Sequence, residues 1–595
     1  MNLLLHLLIL LPLSAASSSS TRFLEAASSY FPSLDDNQKL AYTTWLNDHA
    51  SSYTRQAFLS TASDPNEGVA TFWNIDGDSI DFAIVVQADG WVGFGISEAG
   101  GMLGADVAMF QASTAELVDS YILTERAAPL PDDCQDWKLI SSTTENGWII
   151  IEMNRKLDTG DSQDHVIQND EDLWNAPTRL IAVWGDNEAV FYHGNKKAKS
   201  SVRLFGDSKG LAKVLAKESD GSFEVLKDNF EIPAEETTYH VNCKTFDELK
   251  DQLDLSGGSS MLTMIRVAPI IDEATRELIH HFAVYLQPDC SSSDPTRSMI
   301  YVWAPGAEGL LYPNDVGLPI FQNEFHQAIY IEIHYNNPSK IEDTRDSSGM
   351  RFYYTKTKRT YDAGILQLGD PYVQLAGKPI NDGQTSYQFT CPATCASLVL
   401  GLGNRKVTVI QEFLHMHKTG TRMTNEVIRG DQVAHESLAD VYDFDQQGSF
   451  HPNQEPYELM PGDTFRTTCY YKDGNQFGLG SQEEMCIAFL TYYPAITVED
   501  EPWICPYVGS FDVFGCYQKL ESADLGSEDE LGRNFGAPAS ECAAEPTTAP
   551  SAATQTINKT PTVESATAPS AATQTTNKIT LLSAMGMCFL FVLFL

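Results

Sequence analysis

Basic residues are scarce in this 595-residue chain: 39 Lys and Arg stand against 80 Asp and Glu, a formal net charge of −41. Contacts to phosphate need Lys and Arg, so this balance argues against nucleic acid and anionic lipid surfaces as partners. No glycine-rich loop leads from a strand pattern into a helix pattern, which argues against a nucleotide-binding fold. Cys391 and Cys395 form a Cys-x-x-x-Cys pair with no matching second pair, so a four-cysteine zinc or redox site is not read there. Basic residues are missing from both apolar termini as well. Met1-Asn2 precedes the run Leu3 to Leu13 without Lys or Arg, and Leu581 to Leu595 closes the chain without a basic anchor. That tail is too short for a comfortable membrane span.

What is present is a large globular chain. Its length predicts roughly three or four domains, and 43% hydrophobic residues suffice for normal cores. Residues 1–16 read as a signal peptide, an apolar core followed by small residues. Of the 11 cysteines, Cys588 lies in the terminal tail; the other ten suit disulfides in an oxidising compartment. Residues 543–580 are rich in Thr, Ala, Pro and Ser, with Thr548 to Thr556 recurring almost unchanged from Thr567 to Thr575. This composition buries no core and predicts an extended, O-glycosylated stalk, with Asn558-Lys559-Thr560 as an N-glycosylation sequon. Residues 581–595 then read as a glycolipid-anchor signal, so a membrane would be reached through a C-terminal lipid; a retained short membrane tail is the alternative.

Between the termini the pattern is all-β. A short helix over Asp35 to Ala50 precedes a sandwich over 55–206, whose alternating run Ile80 to Val86 is typical. A charged connection around Lys213 to Glu231 leads to a second set of strands, including Leu278 to Leu286, Met299 to Trp303 and Ala328 to Tyr335. A third set includes Val407 to His417, Phe465 to Tyr471 and Met485 to Tyr493. The chain reads as successive sandwiches, with domains at 55–206, 225–375 and 376–530.

Five of the 13 histidines stand in informative settings. His415 and His417 are two apart on a strand and project to the same side, which makes half of a metal site; alone, a coincidental surface pair would be the better reading. His280 and His281 are neighbours, so both can face one ion only where the strand begins or is bulged. His334 shares a face with Glu332, opposite Ile331, Ile333 and Tyr335, a polar face that is either functional or merely solvated. Met485 would ordinarily be core. Beside two imidazoles, its thioether suits copper, since soft sulfur favours Cu(I), whereas zinc has no need of it.

These stretches resemble the copper type II, ascorbate-dependent monooxygenases, the family of dopamine beta-monooxygenase and peptidylglycine alpha-hydroxylating monooxygenase. The resemblance runs from about Thr237 to Tyr517 and rests on motifs in the family's order. They are His280-His281, Ile333-His334-Tyr335-Asn336-Asn337-Pro338, Asp346 to Arg351, Tyr361 to Ile365, Leu414-His415-Met416-His417, Glu483-Glu484-Met485-Cys486 and Tyr492-Tyr493-Pro494. Upstream, Gly90 to Ser97 and Gly104-Ala105-Asp106-Val107 resemble a DOMON domain, the arrangement of the dopamine beta-monooxygenase branch. The resemblance implies a DOMON sandwich followed by two tandem jelly-roll-like copper domains. It implies two coppers per chain: one for electron transfer on His280, His281 and His334, and one that binds dioxygen on His415, His417 and Met485. It further implies ascorbate as reductant and hydroxylation of an aliphatic C–H bond in a small-molecule, amine-like substrate. Metal redox chemistry is needed because ordinary side chains cannot activate dioxygen. By the same resemblance Cys469 pairs with Cys486, Cys391 with Cys505, Cys395 with Cys516 and Cys243 with Cys290.

Two departures matter. Phe413 stands where relatives carry polar or basic residues, which leaves the substrate open, and Gly160 replaces a cysteine that in relatives ties the DOMON domain to the rest. Cys134 could serve instead, with no partner derivable. Met102 and His193 occupy places where some DOMON domains ligate haem; packing or exposure is the better reading of both. Two further readings compete with a hydroxylase: a silent surface protein that binds ligands through the DOMON domain, and a copper carrier or surface reductase.

Overall fold

The computed structural model describes residues 27–505 and Cys542, apart from internal stretches of eight residues or fewer. The signal segment, Cys516, the stalk with Asn558 and the tail lie outside the described residues.

The first sandwich has a five-stranded sheet ordered 55–60, 68–76, 79–87, 148–156, 138–145. Facing it is a six-stranded sheet ordered 197–202, 178–185, 91–97, 105–111, 116–121, 130–131. Inward residues of both sheets, among them Phe82, Phe94 and Trp184, close the core together with Trp137 from the loop before strand 138–145. The helix Leu40–His49 forms where the sequence places it and buries Tyr42, Trp45 and Leu46 against the outer face of the first sheet, on Phe72 and Trp148. Aromatic burial on this scale dominates packing energy.

Between the two sheets lies a buried acid cluster. Asp106, Asp119 and Asp164 bring carboxylate oxygens within 4.8 Å of one another. Buried Arg155 pairs with Asp106 and, at 3.6 Å, with Asp164. One guanidinium cannot neutralise them all. Burial and neighbouring carboxylates push Asp119 up to about 9 and Asp164 up to about 7, while burial pushes Asp132 to about 6. These values lie above the unfolded-state value, so the folded domain holds protons that the unfolded chain has released. Its stability is therefore greatest below about pH 4 and falls as pH rises through 6 to 9. Asp119→Asn keeps an acceptor for the Asp136 and Trp137 N–H groups, which sit at 2.8 and 3.0 Å from Oδ2. In chelator-containing buffer at pH 8 it should raise the melting temperature of this domain by about 2–4 °C and flatten its pH dependence. Calorimetry across pH decides; an unchanged or lower transition refutes the reading.

The connection over Lys213 to Glu231 is not irregular. It holds the helix Ser208–Glu218 and the strands Gly221–Leu226 and Phe230–Glu231. The first of these strands pairs with Gly349–Thr355, so it belongs to the second sandwich. That sandwich stacks a sheet ordered 221–226, 349–355, 262–270, 316–320, 361–362 on one ordered 237–245, 328–336, 279–287, 298–303. The third stacks 457–459, 407–416, 486–493, 364–369, 503–505 on 385–391, 463–471, 420–429, 432–439. The strand Gly364–Gly369 pairs with Cys486–Tyr493. The boundary read at 375 and 376 therefore moves to about residue 363, where the pairing changes partner.

Disulfides staple these sheets. Cys243–Cys290, Cys391–Cys505 and Cys469–Cys486 form as the resemblance implies. Cys395 is also disulfide-bonded, while Cys516 is outside the described residues. Cys134 finds its partner in Cys542, 408 positions away.

Candidate metal centre

His280 and His281 sit at the start of the strand Ile279–Gln287, directly after the 3-10 turn Arg276–Leu278. The register against Ala328–Asn336 slips between Ile279 and His281, leaving His280 as the extra residue of a bulge. A bulge turns a side chain from its regular face, and here it brings both rings to one place. His334, directly across from His281, completes the group. Nδ1 of His280 lies 2.9 Å from Nδ1 of His281 and 3.1 Å from Nδ1 of His334. A neutral imidazole has one N–H and one lone pair, so three such nitrogens cannot all be satisfied by sharing protons. A cation at their centre satisfies every one.

The rings are held neutral. Burial, with neighbouring imidazoles adding to it, lowers His280 and His281 well below the usual range and His334 to about 2. Neutral imidazole is the metal-binding form. Tyr239 stacks on His334 with ring centroids 4.4 Å apart, and Ser481 Oγ lies 3.0 Å from its Nε2. Such contacts fix a ring's orientation and leave Nδ1 pointing inward.

The second set ends the strand Val407–Met416. His417 Nδ1 donates to the carbonyls of Glu483, at 2.7 Å, and Gly480, at 3.1 Å. That places its lone pair on Nε2, which is buried and has no hydrogen-bond partner among the described residues. His415 Nδ1 donates to Gln447 Oε1 at 2.7 Å, which likewise leaves Nε2 as its donor atom. Burial lowers His415 to about 3 and His417 to about 4. Met416 pairs with Cys486 in the antiparallel register, and one step beyond that last pair Met485 falls opposite His417. It is 7% exposed, its carbonyl accepts from Tyr471 Oη at 2.7 Å, and Cys486 beside it is pinned to Cys469. Glu484, fully buried, accepts from the backbone N–H of His417 at 3.1 Å and from that of Thr419.

The two sets face each other. Ring centroids are 5.3 Å apart for His281 and His415, 5.3 Å for His280 and His417, and 6.1 Å for His334 and His417. Gln447 touches both, its Nε2 lying 3.0 Å from Nε2 of His280. An apolar wall borders the site: Phe413, Met485, Ile487 and Phe489 of the third sandwich pack with Val302 and Ala304 of the second. A metal group fits this donor set, with buried lone pairs, neutral rings and a thioether at hand.

All six expected ligand residues thus gather in one region. Sequence reasoning missed Gln447, Ser481, Tyr239 and the role of Glu484; only Glu484 carried a signal, as the residue beside Met485. Met102 packs on Ala105, Val107, Ile122 and Ile181, whereas His193 Nδ1 donates to the Gly194 carbonyl and its ring adjoins Tyr192.

Residues 65–175 match the family model of the DOMON domain. Residues 223–342 and 361–506 match those of the N-terminal and C-terminal domains of copper type II ascorbate-dependent monooxygenases. DBH-like monooxygenase protein 1 of Gallus gallus is 27% identical over 463 residues, covering 73% of each chain. Tyramine beta-hydroxylase of Caenorhabditis briggsae is 27% identical over 474 residues, covering 73% of this chain and 76% of the relative. Dopamine beta-hydroxylase of Homo sapiens is 26% identical over 480 residues, covering 73% of each.

Proposed function

Because the chain belongs to the copper type II ascorbate-dependent monooxygenases, we propose that His280, His281 and His334 hold one copper and that His415, His417 and Met485 hold the other. The chain is a copper-dependent monooxygenase that draws on dioxygen and ascorbate. Bound copper supplies one-electron chemistry toward dioxygen that side chains lack. The protein's own part is to keep five imidazoles neutral, to aim three Nδ1 and two Nε2 lone pairs inward, and to exclude water. The observation that carries the assignment is the buried, partnerless Nε2 of His417 beside a His415 committed through Nδ1. Among the described residues, the second nitrogen of His417 has no other partner.

Phe413, Ile487, Phe489 and Val302 would present a dry face to an aliphatic C–H bond next to Met485. A small amine is the substrate class favoured by analogy with the relatives named for tyramine and dopamine. Copper-reconstituted, desalted protein should carry about two coppers per chain, one for each donor set. Metal content near zero, or zinc retained over copper in competition, refutes the assignment. A screen of small amines with ascorbate and labelled dioxygen, read by mass spectrometry, tests the substrate class.

Four disulfides among the described residues, and the character of the relatives, fit a secreted, extracellular protein. Among the described residues no helix is long and apolar enough to cross a membrane. The finer reading is removal of residues 1–16, glycosylation at Asn558 and surface attachment through a glycolipid that replaces 581–595. Phosphatidylinositol-specific phospholipase should then release the protein from cells; release by detergent alone refutes the anchor.

A further inference from the structure

We propose that Gln447 is a positioning residue that couples the two histidine sets, and that its amide can serve both only while no more than one set holds copper. The inference rests on the ligand assignment above. Gln447 is buried and meets two rings at once: its Oε1 accepts from His415 Nδ1 at 2.7 Å, and its Nε2 donates to His280 Nε2 at 3.0 Å. A further bond from Nε2 to the Phe444 carbonyl, at 3.1 Å, holds the amide in place. These bonds span 32 and 167 positions of sequence, so one side chain joins the second sandwich to the third.

The conflict follows from counting donors and acceptors. A primary amide has one acceptor atom and one donor nitrogen. His415 already has the form that copper needs, a proton on Nδ1 and a lone pair on Nε2. His280 does not: while Gln447 donates to its Nε2, its proton must be on Nδ1, facing His281 and His334. Copper held by the three Nδ1 atoms moves that proton to Nε2, where it confronts the Gln447 N–H as donor against donor. Turning the amide cures this contact and creates the same clash at His415 Nδ1–H. The conclusion is therefore independent of which way the amide points. With either set loaded, both ring bonds form in one orientation, the turned amide giving up only its bond to the Phe444 carbonyl. With both loaded, one bond is lost, and contact between the sets is weakened at the point where they touch.

The test is a site–site coupling measurement, which a merely structural residue would not alter. Cu(I) affinity of the His415–His417–Met485 set is measured by competition with a chromophoric chelator. It is compared in the parent chain and in a His281→Ala background that disables the other set, for Gln447, Gln447→Leu and Gln447→Glu. Repulsion between two bound cations contributes to all three comparisons; the bridge is the difference among them. For Gln447, disabling the first set should strengthen copper at the second by several-fold more than it does for Gln447→Leu, about tenfold being the ceiling for one hydrogen bond. In Gln447→Glu two acceptor oxygens satisfy both rings, so the extra gain should vanish or reverse. Equal gains in all three chains overturn the bridge while leaving the ligand assignment intact. A parent chain that binds no copper at either set overturns the assignment and the bridge with it.

Discussion

Met485→Leu should abolish most product formation while the protein keeps its fold and one reducible copper. Leucine matches methionine in volume, so the apolar wall of Phe413, Ile487 and Phe489 stays filled and the packing cost stays below about 1.5 kcal/mol. What is lost is the sulfur. A soft ligand favours Cu(I), and neither His415 nor His417 can replace it, since both Nδ1 atoms are committed to Gln447 and to backbone carbonyls. Loss of an outer partner of a metal ligand typically costs 10–100-fold, so loss of the ligand itself should cost ~100-fold or more in turnover. Carbon monoxide binding to reduced protein should fall in parallel, while copper on His280, His281 and His334 remains. Met485→Ala should show the same pattern with an added cavity penalty of about 2–5 kcal/mol. Normal turnover and carbon monoxide binding in the leucine variant would make Met485 a core residue and end the division of labour between the two sets.

Glu484→Ala is the second large effect. This carboxylate is fully buried and accepts from the N–H groups of His417 and Thr419, the turn that carries the last histidine. Its burial pushes it up to about 7 even against those donors, a sign of how dry the position is. Alanine leaves the N–H groups without acceptors, at about 1–3 kcal/mol each. A stability loss of about 2–6 kcal/mol should follow, together with a drop of about 10–100-fold in copper affinity at the His415–His417–Met485 set. Denaturant melts and chelator competition measure the two separately. Unchanged copper affinity in a destabilised protein would reduce Glu484 to a purely structural clamp.

How much of this could be read from the sequence depended on the range of the interaction. Alternation gave the His334 strand and the shared face of His415 and His417, because a period of two survives in the residue order. The neighbouring pair His280-His281 required a strand start or a bulge, and the structure uses both. The helix Ser208–Glu218 was masked by its lysines, although Leu211, Val214 and Leu215 carry helical spacing. Ser481 beside His334 and Gln447 beside His280, at 147 and 167 positions, leave no periodic trace. The moved boundary near residue 363 has the same origin: strand pairing across more than a hundred residues decides to which sandwich Gly364–Gly369 belongs.

The bond between Cys134 and Cys542 makes most of the protein a closed covalent ring, with both copper sandwiches inside it. A pull applied at the C-terminal end enters at Cys542 and passes straight across to Cys134, so tension bypasses the contact between the two histidine sets. Cutting the backbone anywhere between those cysteines frees no fragment; the pieces part only when the disulfide is reduced. A single proteolytic nick between Cys134 and Cys542 should thus release no fragment on a non-reducing gel and give two bands once thiol is added.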